Sequence, residues 1–113
     1  MLQRNKPTWY VKKDDTRPHL DVILTDDQLR PIDVSNSAVA FTMRDASSGV
    51  VKVENARCFF LAPSEGAVRH QWNAGHTDTI GVYEGEFRVE DENNRVQTFP
   101  SDGFISIIIV DSI

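Results

Sequence analysis

Short stretches in which apolar and polar residues alternate are the feature that most limits how this chain can fold. The clearest is "TIGVYEGEFRVE" at 79–90. On one side of it lie Tyr83, Gly85, Phe87 and Val89, and on the other lie Val82, Glu84, Glu86, Arg88 and Glu90. Side chains in a strand point alternately to two faces, so this stretch predicts a strand with one packed face and one solvent face.

Further runs of this kind follow one another at intervals of roughly 8 to 15 residues, as in all-β domains. They lie at 20–25, 38–44, 50–54, 56–62, 67–72 and 104–110. Segments rich in Gly, Pro, Asp, Asn and Ser separate them, and these residues favour turns. No segment carries a sustained apolar stripe at helical spacing, so a single turn near 77–80 is the one helical candidate. About seven to nine short strands with such turns predict an all-β sandwich or barrel.

Tyr83 indicates a more specific architecture. Immunoglobulin-like sandwiches often carry a tyrosine at the start of the penultimate strand, and its hydroxyl bonds to backbone a few residues upstream. Tyr83, which follows Thr79, fits that place. Gly85 then takes the position where antibody domains have a disulfide cysteine, and we expect Trp72 to face it. The prediction is an immunoglobulin-like antiparallel β-sandwich.

Size and charge exclude several classes of protein. A chain of 113 residues without repeat or linker suits one domain, so we expect a single sandwich over 1–113, with 1–8 as a possible N-terminal arm. The net charge of -5, from 17 acidic and 12 basic residues, argues against nucleic acid as a partner, because such binding needs cations against phosphates. Uninterrupted apolar runs such as "IIIV" at 107–110 are far shorter than the ~20 residues that span a bilayer. The amino terminus lacks the apolar stretch of a secretory signal, so we expect a soluble protein that stays where it is synthesised, without a membrane partner.

No set of residues has the spacing of a catalytic or metal site. The three histidines, His19, His70 and His76, are too far apart in sequence for zinc-binding spacing. We expect His70 to be a hydrogen-bonded histidine of the core or of a sheet edge, and the other two to lie in loops. The lone Cys58 is expected to be a buried, inert thiol. Two Asp-Asp pairs predict turns rather than a calcium site. We therefore expect no enzyme activity, no cofactor and no metal.

Three stretches together resemble a known family. They are "DDTRPHLDVILTDDQLRPIDVSNSAVAFTMRD" at 14–45, "GHTDTIGVYEGEFRV" at 75–89 and "QTFPSDGFISIIIV" at 97–110. In this order and spacing they are similar to the amino-terminal domain of phage baseplate upper proteins, an immunoglobulin-like domain of tail and baseplate components. The resemblance extends over about residues 9–111.

The resemblance implies a non-enzymatic structural protein of a phage virion, in the tail, baseplate or neck, that acts as an anchor or adaptor. Its partners would be other phage structural proteins, and it would form a symmetric homo-oligomer in a particle assembled in the host cytoplasm. The family's domain often anchors a longer protein, whereas this chain ends at Ile113, so we expect an adaptor without an arm of its own. The alternative within this class is a capsid decoration protein. The alternative outside it is a small carbohydrate-binding module or enzyme, with a pocket lined by His70, Asp78 and Arg69.

Two groups of residues are candidates for a contact with neighbouring proteins. Trp9 and Tyr10 precede the first clear strand, and such near-terminal aromatics form either a capping strand of the sandwich or an anchor for a neighbour. Glu84, Glu86 and Glu90 share the polar side of the alternating stretch. They would meet a basic partner surface.

Overall fold

Nine strands and one 3₁₀ turn are formed by residues 8–113, the part of the chain that the computed structural model describes. The strands are β1 (Thr8–Lys12), β2 (Leu20–Ile23), β3 (Ala38–Asp45), β4 (Val51–Arg57), β5 (Phe59–Ala62), β6 (Ala67–His70), β7 (Gly81–Glu90), β8 (Val96–Phe99) and β9 (Ile105–Val110). The predicted all-β class is confirmed. Within this range no helix has the length and apolar character needed to cross a membrane.

The strands form two sheets that pack face to face. The larger sheet has the order β1-β9-β7-β3-β4, with β8 also paired to β7, and the smaller sheet has the order β2-β6-β5. All pairs are antiparallel except β1 with β9, which is parallel. The immunoglobulin-like sandwich is therefore confirmed, with one parallel pair that an entirely antiparallel prediction missed.

Alternation along the strands builds the core between the sheets. The larger sheet contributes Val39, Phe41, Met43, Tyr83, Phe87, Val89, Ile105, Ile107 and Ile109, and the smaller sheet contributes Leu20, Val68 and His70. Each is the buried member of an alternating run, as the period-two pattern predicts. Burying one large apolar side chain such as Phe41 stabilises the fold by about 2 to 3 kcal/mol.

Tyr83 makes the bond expected of it. Its hydroxyl donates to the carbonyl oxygen of Thr79 at 2.7 Å, and its ring is buried. Tyr83 lies near the start of β7, which is the seventh of the nine described strands. It is not the penultimate strand, because the short β8 comes between β7 and β9. The bond fixes the loop before β7 against the strand.

Gly85 lies against a different aromatic ring from the one expected. A Cβ atom at Gly85 would lie 2.8 Å from Cε1 of Phe41 and 3.3 Å from Cγ1 of Ile105. The ring of Phe41 therefore fills the space beside this glycine, and the prediction that Trp72 does so is wrong. Trp72 instead packs edgewise on Phe41, with ring centroids 6.0 Å apart.

Three other local predictions are corrected. Residues 77–79 form bends, and the 3₁₀ turn of the described residues lies at Pro63–Glu65, where proline suits the first helical position. The run at 56–62 is divided at Cys58, where the chain leaves the larger sheet and enters the smaller one. Of the predicted arm at 1–8, Thr8 belongs to β1 and residues 1–7 lie outside the described part of the chain.

Candidate functional site

The outer face of the larger sheet, which points away from the core, carries a row of apolar side chains. Tyr10 in β1 is opposite Ile108 in β9, and Ile108 is opposite Val82 in β7. Directly paired residues share a face and contact one another, so these three residues form a continuous apolar row across three strands. Tyr10 is 69% exposed, Val82 is 51% exposed and Ile108 is partly exposed.

The predicted glutamates lie on the same face, and Glu84 is the one next to the apolar row. Glu84 begins the neighbouring row, opposite Ser106, and it is bound by Arg44, whose Nε lies 2.9 Å from its Oε1. Glu90 is 3.8 Å from Arg88 on its own strand. Glu86 is opposite Thr42 and has no ion pair among residues 8–113. The face thus carries both signs of charge, and Glu86 is its free carboxylate within the described range.

Trp9 and Tyr10 point to opposite faces of β1. Trp9 is partly buried and packs against the core, and its indole Nε1 is buried without a partner among the described residues. Tyr10 points outward, into the apolar row. The segment is therefore a capping strand of the sandwich, and of this pair Tyr10 is the residue available to a neighbour.

A cavity of about 230 Å³ opens beside β1. Trp9 and Trp72 line it together with His19 and Arg17 from the segment that leads into β2. The Nδ1 atom of His19 is buried without a hydrogen-bond partner among the residues described. The walls are mainly apolar, and the charged residues Lys12 and Asp15 also line them.

His70, which is buried in the core, contacts His76 from the loop before β7, a residue that is only partly buried. Their rings stack with centroids 5.3 Å apart, and Trp72 meets His70 edgewise at 4.7 Å. Neither nitrogen of His70 has a hydrogen-bond partner within residues 8–113, so the expectation that its bonds are satisfied is wrong. Burial, with smaller contributions from His76 and His19, lowers the pKa of His70 to about 4. The ring is neutral at pH 7 and serves as an aromatic packing group.

The residues named for a catalytic or sugar-binding pocket do not converge. Arg69 lies on the outer face of the smaller sheet and holds Asp21 through two bonds of 2.8 and 3.0 Å. Asp78 pairs with Lys52, while His70 points into the core. Cys58 is buried as expected, and burial raises the pKa of its thiol to about 12, which disfavours the thiolate. Residues 8–113 contain no cluster of three or more His, Cys, Asp or Glu side chains arranged to hold a metal ion.

Sequence reasoning found Tyr10 and the glutamates but missed Val82 and Ile108 as members of one surface. Alternation placed Val82 on the solvent side of its strand, whereas the run at 104–110 is apolar on both sides and indicates no outward face for Ile108. Which strands are neighbours, and in which register, depends on pairing between residues far apart in the chain, and no local signal carries that information. Arg44, which neutralises Glu84 and stacks over the ring of Phe104 at 4.8 Å, was missed for the same reason.

Comparison with known proteins supports the fold. No protein-family model matches the chain, and no curated protein matches it. Among solved structures, the crystal structure of CopC from Methylosinus trichosporium OB3b is similar, with a TM-score of 0.55 over 96% of this chain and 88% of that chain. The two sequences are 13% identical, so the likeness concerns the fold alone. The chain is an immunoglobulin-like β-sandwich.

Proposed function

We propose that this protein is a non-enzymatic structural component of a phage particle, in the tail, baseplate or neck, where it joins other virion proteins. The observation that carries the proposal is the apolar row of Tyr10, Ile108 and Val82 on the outer face of the larger sheet. The resemblance of three stretches to the amino-terminal domain of phage baseplate upper proteins supports the setting.

The composition of this face suits a protein contact. Interface centres are rich in aromatic and apolar side chains and are surrounded by a polar rim. Tyr10 supplies a rigid aromatic group, and Glu86 supplies a free negative charge at the rim. The partner surface that fits has an apolar centre with a Lys or Arg placed opposite Glu86.

Incorporation into particles tests this proposal. Tyr10→Asp places a charge in the centre of the apolar row and should lower the copy number in purified particles by roughly tenfold, the effect of losing about 1.4 kcal/mol of binding. Val96→Asp is the matched control, because Val96 is also exposed on the larger sheet but lies opposite Glu90, far along β7 from the row. Particles that contain both variants at the wild-type level would contradict the proposal.

The position of the chain in a map of the intact particle separates the two virion roles. Density for a nine-stranded sandwich in the tail, baseplate or neck supports the adaptor. The same density on the outer surface of the capsid shell would instead assign the chain the role of a decoration protein. In either case, Tyr10 should be among the residues that contact a neighbouring protein.

A further inference from the structure

A second exposed apolar surface lies on the other sheet, at its free edge. Strand β5 is the edge of the smaller sheet, and its consecutive side chains Phe59, Phe60 and Leu61 are 55%, 41% and 47% exposed. The register shifts between Phe60 and Ala62, so the regular in-and-out alternation is interrupted there. We call Phe59, Phe60 and Leu61 the β5 patch.

The edge at β5 lacks the usual protection against pairing. Exposed edges are normally guarded by charged or polar side chains, because unpaired backbone N–H and C=O groups can accept another strand. Among the described strands, β1, β2, β4 and β8 each carry at least one polar or charged side chain, whereas all four residues of β5 are apolar. The sequence of β5 therefore favours contact with another strand.

We propose that β5 pairs antiparallel with β5 of a second copy of this chain, which gives a two-fold symmetric dimer with a continuous six-stranded sheet. Two-fold pairing brings the start of one strand beside the end of the other. Arg57 lies two residues before β5 and Glu65 three residues after it. Both are exposed and neither forms an ion pair within residues 8–113. With Leu61 opposite Leu61 across the two-fold axis, Arg57 of one copy lies at the same end of the contact as Glu65 of the other.

The area of the patch suits this occupant. Its three side chains expose roughly 300 Å² per copy, given that a large side chain buries about 150 to 250 Å² in full. Two copies thus offer about 600 Å² of apolar side chain, and the paired edge backbone and the flanking residues bring the contact toward the ~1,000 Å² of a specific interface. A two-fold contact uses β5 of both copies, so it leaves no β5 edge for a third copy and the assembly closes at two.

Sedimentation of the purified chain over a concentration series tests the dimer. The wild type should sediment as a dimer, and Leu61→Lys should weaken the dimer by roughly tenfold or more, because a charge then lies at the centre of the contact. Val96→Lys is the matched control, since it places the same charge on the larger sheet at an exposed residue outside both proposed contact surfaces. Far-UV circular dichroism checks that each variant is folded.

Charge exchange tests the geometry of the pairing. Arg57→Glu should weaken the dimer, and the double variant Arg57→Glu with Glu65→Arg should restore it. A monomeric wild type, open-ended aggregates, or dissociation caused by Val96→Lys instead of Leu61→Lys would each overturn the proposal. The readout is self-association in solution, so its failure leaves the particle-incorporation test of the proposed function unaffected.

Discussion

At the scale of single residues, His70 combines a polar ring with an apolar environment. It is 1% exposed, contacts Phe41, Trp72 and His76, and has no hydrogen-bond partner for either nitrogen within the described residues. A charged imidazolium is unfavourable there, since burial penalises the charged form. The folded protein therefore keeps His70 neutral at pH values where the unfolded chain already protonates it.

His70 should make stability depend on pH between about 6.5 and 4. Its pKa is about 4 in the folded state against 6.5 ordinarily, so the unfolded state binds more protons in this window. Stability is full above 6.5 and falls by up to about 3 kcal/mol as the pH drops to 4. Urea denaturation at pH 7 and pH 4 should show this loss in the wild type and a smaller loss in His70→Phe. Equal losses in the two proteins would contradict the assignment.

The sequence indicated which residues are buried but not which of them touch. Tyr83, with its bond to Thr79, was predictable because both partners lie in one local turn. The filling of the space beside Gly85 by Phe41, and the stacking of His70 on His76, were not, because each pair joins different strands or a strand and a loop. Local patterns report the orientation of a side chain toward a face, whereas contacts depend on register.

At the scale of elements, the turn between β5 and β6 is fixed by one glycine. Gly66 has φ of +71°, and a Cβ atom there would lie 2.7 Å from the carbonyl oxygens of both Leu24 and Ile32. Its own carbonyl accepts a bond from the Leu24 N–H at 2.8 Å. The backbone after β2 therefore passes directly against this turn and leaves no room for a side chain.

Gly66→Ala should be considerably more destabilising than Gly49→Ala. Gly49 also has positive φ, +77°, but nothing lies within 4 Å of the position of its Cβ. Both variants have the strain of a left-handed alanine, about 1 to 2 kcal/mol. Only Gly66→Ala adds a clash with backbone, which should cost about 1 to 3 kcal/mol more. Urea denaturation measures both, and equal losses would show that the segment after β2 moves away freely.

The division between β4 and β5 was beyond the reach of the local pattern. The run at 56–62 is apolar throughout apart from Arg57, so it is compatible with one continuous strand. The amide of Cys58 instead bonds the carbonyl of Val39 in β3, and the residues after it pair with β6. The chain changes sheet here because its partner is β3 before Cys58 and β6 after it. Strand β5 then lies at the edge of the smaller sheet, where its side chains are exposed.

At the scale of the whole molecule, β1 is an edge strand of the larger sheet and contributes side chains to both faces of that sheet. It pairs with β9 in parallel, so its register places Trp9 beside Ile107 toward the core and Tyr10 beside Ile108 on the outer face. Alternation in "TWYVK" could have shown that the two aromatics diverge, but not that the segment pairs at all. Strand β1 is therefore a capping strand through Trp9, and Tyr10 on its other face is the residue that we propose contacts a neighbour.

Substituting Trp9 and Tyr10 separately should show that Trp9 contributes to stability and Tyr10 to assembly. Trp9→Ala removes a ring that packs against the core, and since full truncation of a buried Trp costs about 3 to 5 kcal/mol, we expect roughly 2 kcal/mol for this partly buried one. That loss lowers the melting temperature by several degrees, at about 4 to 8 °C per kcal/mol for a domain near this size. Tyr10→Ala should change stability by no more than about 0.5 kcal/mol, as at most exposed sites, and should reduce incorporation into particles. Calorimetry and the copy number in purified particles measure the two effects. If Tyr10→Ala were incorporated normally while Trp9→Ala, still folded at the assembly temperature, were excluded, the contact surface would have to lie on the side of β1 that holds Trp9.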